Sequence, residues 1–232
     1  MNDNKTNTLQ NILDTIVENK KDDGGFGAVI ARAGVGKTSL LVQIALYSLL
    51  EKKSVLHVSL KEPINKVCLW YDEVSTRIER TLKKPNISSD IWDTILMHRM
   101  IMTFGENQFN TTTFRERLFD LTEQDIFYPQ LIIVDGLMAD KENIIIFEEM
   151  KKLAQELSVF MWFSIRSHRH EVSQISHFPP SLVPVTDLFD VTLQVNPKAD
   201  KIDIELASQI HFDQTPNLIL DPETMLIQSV SS

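Results

Sequence analysis

The sequence predicts an α/β fold on a mostly parallel sheet flanked by helices, with a C-terminal antiparallel β-meander at the sheet edge. Three observations carry this. Between residues 26 and 165, short apolar runs bounded by turn residues alternate with longer segments of helical period. A loop of small residues ending in Gly36-Lys37-Thr38 joins the first apolar run to the first helical segment. Past residue 190 the helical period vanishes, and short strand-like segments follow one another with only turns between them.

The elements follow in order. Residues 8–20 place Leu9, Ile12, Leu13, Ile16 and Val17 on one helical face, so residues 1–22 read as an N-terminal amphipathic helix that "KDDGG" breaks. "FGAVIA" is a buried strand, Thr38 to Lys52 a helix apolar on most sides, and "SVLHVSL" the next strand. Pro63 is placed to open a helix that runs to about Leu82, where "KKPN" stops it. "ILMHRMIMTF" fits strand or helix, with a strand preferred near its end. "TTTFRERLFDLTEQ" is a helix with a capping threonine, "QLIIVDG" a buried strand, "ENIIIFEEMKKLAQEL" a helix and "SVFMWFSI" a strand. Residues 166–184 hold three prolines and no clear period. "DVTLQVN", "KIDIELAS", "NLILD" and "MLIQ" are the strands of the meander.

Composition narrows the function classes. With 232 residues, 43% of them hydrophobic and 24% charged, the chain reads as one soluble globular domain with small additions. A net charge of -9 argues against a general coat for nucleic acid or anionic membrane, while leaving room for a local basic strip. The one cysteine, Cys68, cannot form an internal disulfide; it shares a helical pattern with Ile64, Val67, Tyr71, Val74 and Ile78, which predicts a buried thiol. Trp70, Trp92 and Trp162 also sit in apolar patterns and read as core. The polar start lacks an apolar signal core and no run approaches a membrane span, so the expectation is a cytoplasmic protein with no membrane partner.

The loop "ARAGVGKTSLL" carries the chemistry. The chain has seven glycines, and two of them stand at Gly34 and Gly36 beside Ala31 and Ala33. Successive backbone N–H groups can converge on an anion at a strand-to-helix turn only when side chains stay out of the way. The N–H groups of Ala33, Gly34, Val35, Gly36 and the helix start at Ser39 would form that cradle. Lys37 would reach the outer phosphates as a point charge, and Thr38 would offer its hydroxyl to Mg²⁺. Asp135, at the end of "LIIVD" about a hundred residues on, is the acid that such a metal requires near the loop.

These segments resemble the RecA-like P-loop ATPase core, most nearly its KaiC, RadA and DnaB-helicase branch. The resemblance rests on "GVGKTSLLVQIALYSLLEKKSVLHVSLKEP", "LIIVDG" and "MKKLAQELSVFMWFSI", and covers the chain from about Gly24. It implies an ATP-binding domain over residues 23–232, with ATP and Mg²⁺ as cofactors. It also implies homo-oligomeric rings or filaments, a hexamer among them, with nucleotide at subunit interfaces. ATP rather than GTP rests on this resemblance alone.

Three positions depart from that family. Where relatives carry Glu or Glu-Glu after the second strand, this chain has Lys61 then Glu62. Lysine cannot activate water; Glu62 reads either as the surviving base or as an acid favoured at a helix start. Arg166 stands where relatives often have a polar sensor; it reads either as a γ-phosphate contact or as a solvated loop residue. The strand "IDIELAS" is followed by "QIHF" and lacks the Lys/Arg pair that relatives reach into a neighbour's site. Binding thus looks intact and catalysis eroded.

Arg166, His168, Arg169, His170 and His177 form a basic loop for which a nucleic-acid phosphate contact is weighed against a solvated loop and, less well supported, a zinc site. Arg77, Arg80, Lys83 and Lys84 read as a solvated helix end. The function expected is a Mg·ATP-binding, KaiC-like regulatory protein that hydrolyses slowly and acts by nucleotide-dependent assembly. The alternatives are a nucleic-acid-stimulated ATPase of recombinase or helicase type, and a scaffold that has lost ATP, which the intact loop disfavours.

Overall fold

The computed structural model describes residues 12–15, 23–82, 89–105, 108–138, 143–166, 180–198, 201–210 and 217–229. Its central strand is β1 (Gly25–Ala31), buried along its whole length. Six strands run parallel and take the order β3–β2–β4–β5–β1–β6: β2 (Val55–Ser59), β3 (Arg99–Thr103), β4 (Leu131–Asp135), β5 (Phe160–Arg166) and β6 (Val191–Pro197) join β1. Beyond β6 the sheet continues antiparallel through β7 (Ile202–Ser208), β8 (Leu218–Leu220) and β9 (Ile227–Ser229). The α/β class, the parallel sheet and the antiparallel meander are those the sequence predicts.

The period-2 geometry of each strand sends alternate residues to opposite faces. Val29 and Ala31 of β1 join Ile133, Val55 and Leu193 on one face, under α1 (Lys37–Leu50), α2 (Ile64–Leu82) and α3 (Ser89–Leu96). Phe26, Ala28 and Ile30 join Leu56, Val134 and Phe163 on the other, under α4 (Thr111–Glu123), α5 (Ile144–Glu156) and a 3₁₀ helix (Pro180–Leu188). Phe26, Phe147, Phe163 and Phe189 stack there at centroid separations of 4.7–6.0 Å, each tilted or edge-on pair adding about 0.5–1.5 kcal/mol beyond burial. Asp190, just ahead of β6, accepts from the Phe26 amide at 2.8 Å and from Lys151 of α5 at 2.7 Å, pinning the start of β1.

Several local expectations change. The cap of α4 is Asn110, whose side chain accepts from Thr113 N–H at 2.8 Å, and not a threonine; Asn110 holds the extended backbone a cap needs. "ILMHRMIMTF" is divided, with its start in α3 and its end in β3. Val67, Tyr71, Val74 and Ile78 form the buried stripe of α2, but Ile64 is 51% exposed and Cys68 is half-buried, off the centre of that stripe. Trp92 and Trp162 are core, while Trp70 is half-exposed. Of the N-terminal helix, Ile12–Thr15 is helical and buries Ile12 and Leu13 beside α1; the remainder of 1–22 lies outside the described residues. His168, Arg169, His170 and His177, with Lys83 and Lys84, also lie outside them. No helix among the described residues is long and apolar enough to cross a membrane.

Candidate functional site

The parallel strands end on one edge of the sheet, and the loop after β1 turns there into α1. Gly34 and Gly36 have φ of +77° and +87°, and Gly36 is the N-cap of α1 with no side-chain cap on the helix. Its carbonyl accepts the first helical bond, from Leu40 N–H at 2.9 Å. The N–H groups of the first turn, left over by helix geometry, therefore face the loop, where an anion would meet them and the positive end of the helix dipole. A Cβ on Gly34 would meet nothing within 4 Å, so the inside of the loop is open. Ser39 Oγ, in the same turn, is buried with no hydrogen-bond partner among the described residues.

A cleft of about 240 Å³ opens beside this loop. Ala33, Lys37 and Thr38 form one wall; Asp135 and Arg166, from the ends of β4 and β5, form another. Lys61 and Glu62, between β2 and α2, close the third side with Trp70. Six of the residues expected at the site thus share one cleft: Ala33, Lys37, Thr38, Glu62, Asp135 and Arg166. Gly34, Val35, Gly36 and Ser39 belong to the loop and helix start behind it.

Lys37 folds back over the loop and donates to the carbonyls of Ala31 and Arg32 at 3.0 and 2.8 Å. Burial lowers its pKa below the ordinary lysine value; Asp135 opposes the shift, while Arg166 and then Lys61 add to it. Thr38 Oγ1 donates to Asp135 Oδ2 at 2.7 Å, a contact that spans β5, since β4 is not adjacent to β1. This hydroxyl–carboxylate pair beside the phosphate cradle suits Mg²⁺, a hard cation usually held by one or two protein oxygens plus substrate phosphates. The orphaned Ser39 hydroxyl and the open cradle fit a polyphosphate.

The base candidate is held differently. Ser59 Oγ accepts from Glu62 N–H at 3.1 Å and donates to Glu62 O at 2.9 Å, so the backbone turn into α2 is tied to the end of β2. The Glu62 carboxylate pairs with Lys66 at 2.8 Å, one turn on. Arg166 is exposed at the end of β5, beside Ala31 in register. Gly136 has φ +101° and its N–H donates to Ser164 Oγ at 2.9 Å, which fixes the chain beyond Asp135. Sequence reasoning misses Ser59 and Ser164, whose one signal is a serine at or near the end of an apolar strand. Trp70, expected in the core, lines the cleft instead.

Beneath the cleft, His57 of β2 is fully buried, with Nδ1 3.1 Å from the Tyr71 hydroxyl. Burial lowers its pKa to about 4; Asp135 opposes the shift and Arg99 adds to it.

The strand order and the loop after β1 are those of RecA-like ATPase domains. The chain is similar to the solved structure of the ATPase domain of a DnaB-like helicase, with a TM-score of 0.64 over 97% of this chain and 99% of that one. Identity is 13%, so the likeness shows the fold alone. No family model matches the chain, and no curated protein matches it.

Proposed function

We propose that this chain is a Mg·ATP-binding protein of KaiC-like type, regulatory, cytoplasmic and acting through nucleotide-dependent homo-oligomeric assembly, with slow ATP hydrolysis. The observation that carries this reading is the uncapped first turn of α1 behind left-handed Gly36, with Lys37 and the Thr38–Asp135 pair converging on the same cleft. In this reading residues 23–232 are the ATP-binding domain and residues 1–22 an added helix. The N–H groups from Ala33 to Ser39 hold the phosphates. Lys37 exchanges its bonds to Ala31 and Arg32 for phosphate oxygens, and Thr38 and Asp135 hold Mg²⁺. When bound, that ion neutralises phosphate charge.

Slow turnover follows from what surrounds the site. The carboxylate placed to act as base, Glu62, is engaged by Lys66, and Gln209, where the basic pair of relatives would follow β7, donates to the Asp187 and Phe189 carbonyls. These parts act on the transition state, so their loss spares affinity and lowers rate.

A second reading, a nucleic-acid-stimulated ATPase of recombinase or helicase type, is favoured by the likeness to an ATPase domain along nearly the whole chain. Calorimetric titration with Mg·ATP tests the site: Lys37→Ala should weaken binding at least tenfold, about 1.4 kcal/mol. Equal affinities would remove the assignment. Phosphate release measured with and without single-stranded DNA separates the two readings, since only the second expects stimulation.

A further inference from the structure

The cleft holds more positive charge than a phosphate loop and one metal need. Lys37, Lys61 and Arg166 all line it, against Asp135 and a Glu62 carboxylate already paired with Lys66. Lys61 lies on the side away from the loop. Its stem runs over Gly136, with Cγ and Cδ at 3.3 and 3.6 Å from the place a Cβ would take there. Among the described residues, its ammonium group meets the Met138 thioether sulfur at 3.7 Å. A thioether is a weak acceptor and no match for an ammonium ion, so an anionic oxygen entering the cleft would displace it.

A phosphate chain seated with its inner groups on the α1 turn must extend across the cleft, and the wall it meets carries Lys61. We propose that Lys61 is a ligand of the terminal phosphate of the bound nucleotide, and that it makes this site discriminate a nucleoside triphosphate from a diphosphate. The inference rests on the nucleotide-binding reading above and adds the state that the site senses. Lys61 carries a fixed positive charge and takes no proton from water. It therefore favours holding the triphosphate over cleaving it, and supplies within one chain a cation that otherwise would have to come from a neighbour. Its effect on Lys37 shows that the two ammonium groups already feel each other in the free cleft, a repulsion that a bound anion relieves.

The test is calorimetric titration of the full chain with a non-hydrolysable Mg·ATP analogue and with Mg·ADP. Lys61→Met should lower triphosphate affinity at least tenfold and leave diphosphate affinity within about threefold. Lys61→Arg should keep the preference, because charge rather than shape carries it. Lys61 is exposed, and a thermal melt of each variant checks that the fold is kept. If Lys61→Met weakens both nucleotides equally or neither, Lys61 is not a terminal-phosphate ligand, while the site assignment stands on its response to Lys37→Ala. If the unaltered protein titrates with neither nucleotide, the function reading and this inference fall together.

Discussion

Replacing Gly36 by alanine tests whether the phosphate loop is packed from behind by the far end of the chain. Two costs can be separated. A residue with a Cβ at φ +87° is disfavoured by about 1–2 kcal/mol. The new Cβ would also lie 2.5 Å from Met225 Cε and 3.4 Å from Leu220 Cδ2. Met225 Cε is the end of a flexible side chain, so it moves aside and leaves its preferred rotamer, for about 0.5–1.5 kcal/mol. Gly36→Ala should therefore destabilise by about 2–3 kcal/mol in urea unfolding. Met225→Ala removes the colliding methyl, so in that background the glycine substitution should cost only the backbone part. The double-mutant cycle should show a coupling of about 0.5–1.5 kcal/mol, relieving the pair. Additivity within about 0.3 kcal/mol, or a cost for Gly36→Ala below about 0.5 kcal/mol, would refute the packing argument.

Two further outcomes are expected. His57 titrates near 6.5 in the unfolded chain and about 4 in the fold, so the unfolded state binds the extra proton between those values and stability falls as pH drops through them. From pH 7 to 4.5 that contributes about 2–3 kcal/mol of lost stability; His57→Gln should flatten the profile by that amount, and an unchanged slope would discount His57. Glu62→Gln should remove the residual ATP turnover with affinity nearly unchanged. Its cost in stability should stay within about 0.5 kcal/mol, since the pair with Lys66 is partly exposed. Unaltered turnover would leave Glu62 as a helix-start residue only.

The strands were legible because they are short apolar runs in a sheet covered on both faces, where β1, β2 and β4 show no alternation to confuse with a helix. The loop was legible because Gly34 and Gly36 are required by left-handed backbone, which leaves a mark in the sequence. Trp70 and Cys68 were not, because a helical pattern fixes the centre of the buried stripe and not its margin. Val67, Tyr71 and Val74 define that centre, and Trp70 falls to the side that lines the cleft. The cap of α4 was misplaced by one residue because three threonines follow Asn110, and local sequence alone does not choose among adjacent capping side chains. The direction of the Glu62 carboxylate depends on Lys66, a contact within reach of any i,i+4 pair but decided by the turn that Ser59 fixes.

Gln43, in the middle of α1, donates to Met225 O at 2.8 Å and accepts from Ile227 N–H at 2.9 Å, contacts spanning 182 and 184 residues of chain. The helix that presents the phosphate loop is thereby stitched to the last strand of the meander. At synthesis rates of about 5–20 residues per second, the loop emerges on the order of 10–40 s before the hairpin that supports it. Throughout that interval the nascent chain has Gly36 and Lys37 but no Met225 behind them. Nucleotide capture is then a late event in the life of each molecule, and it reports that the final hairpin has docked.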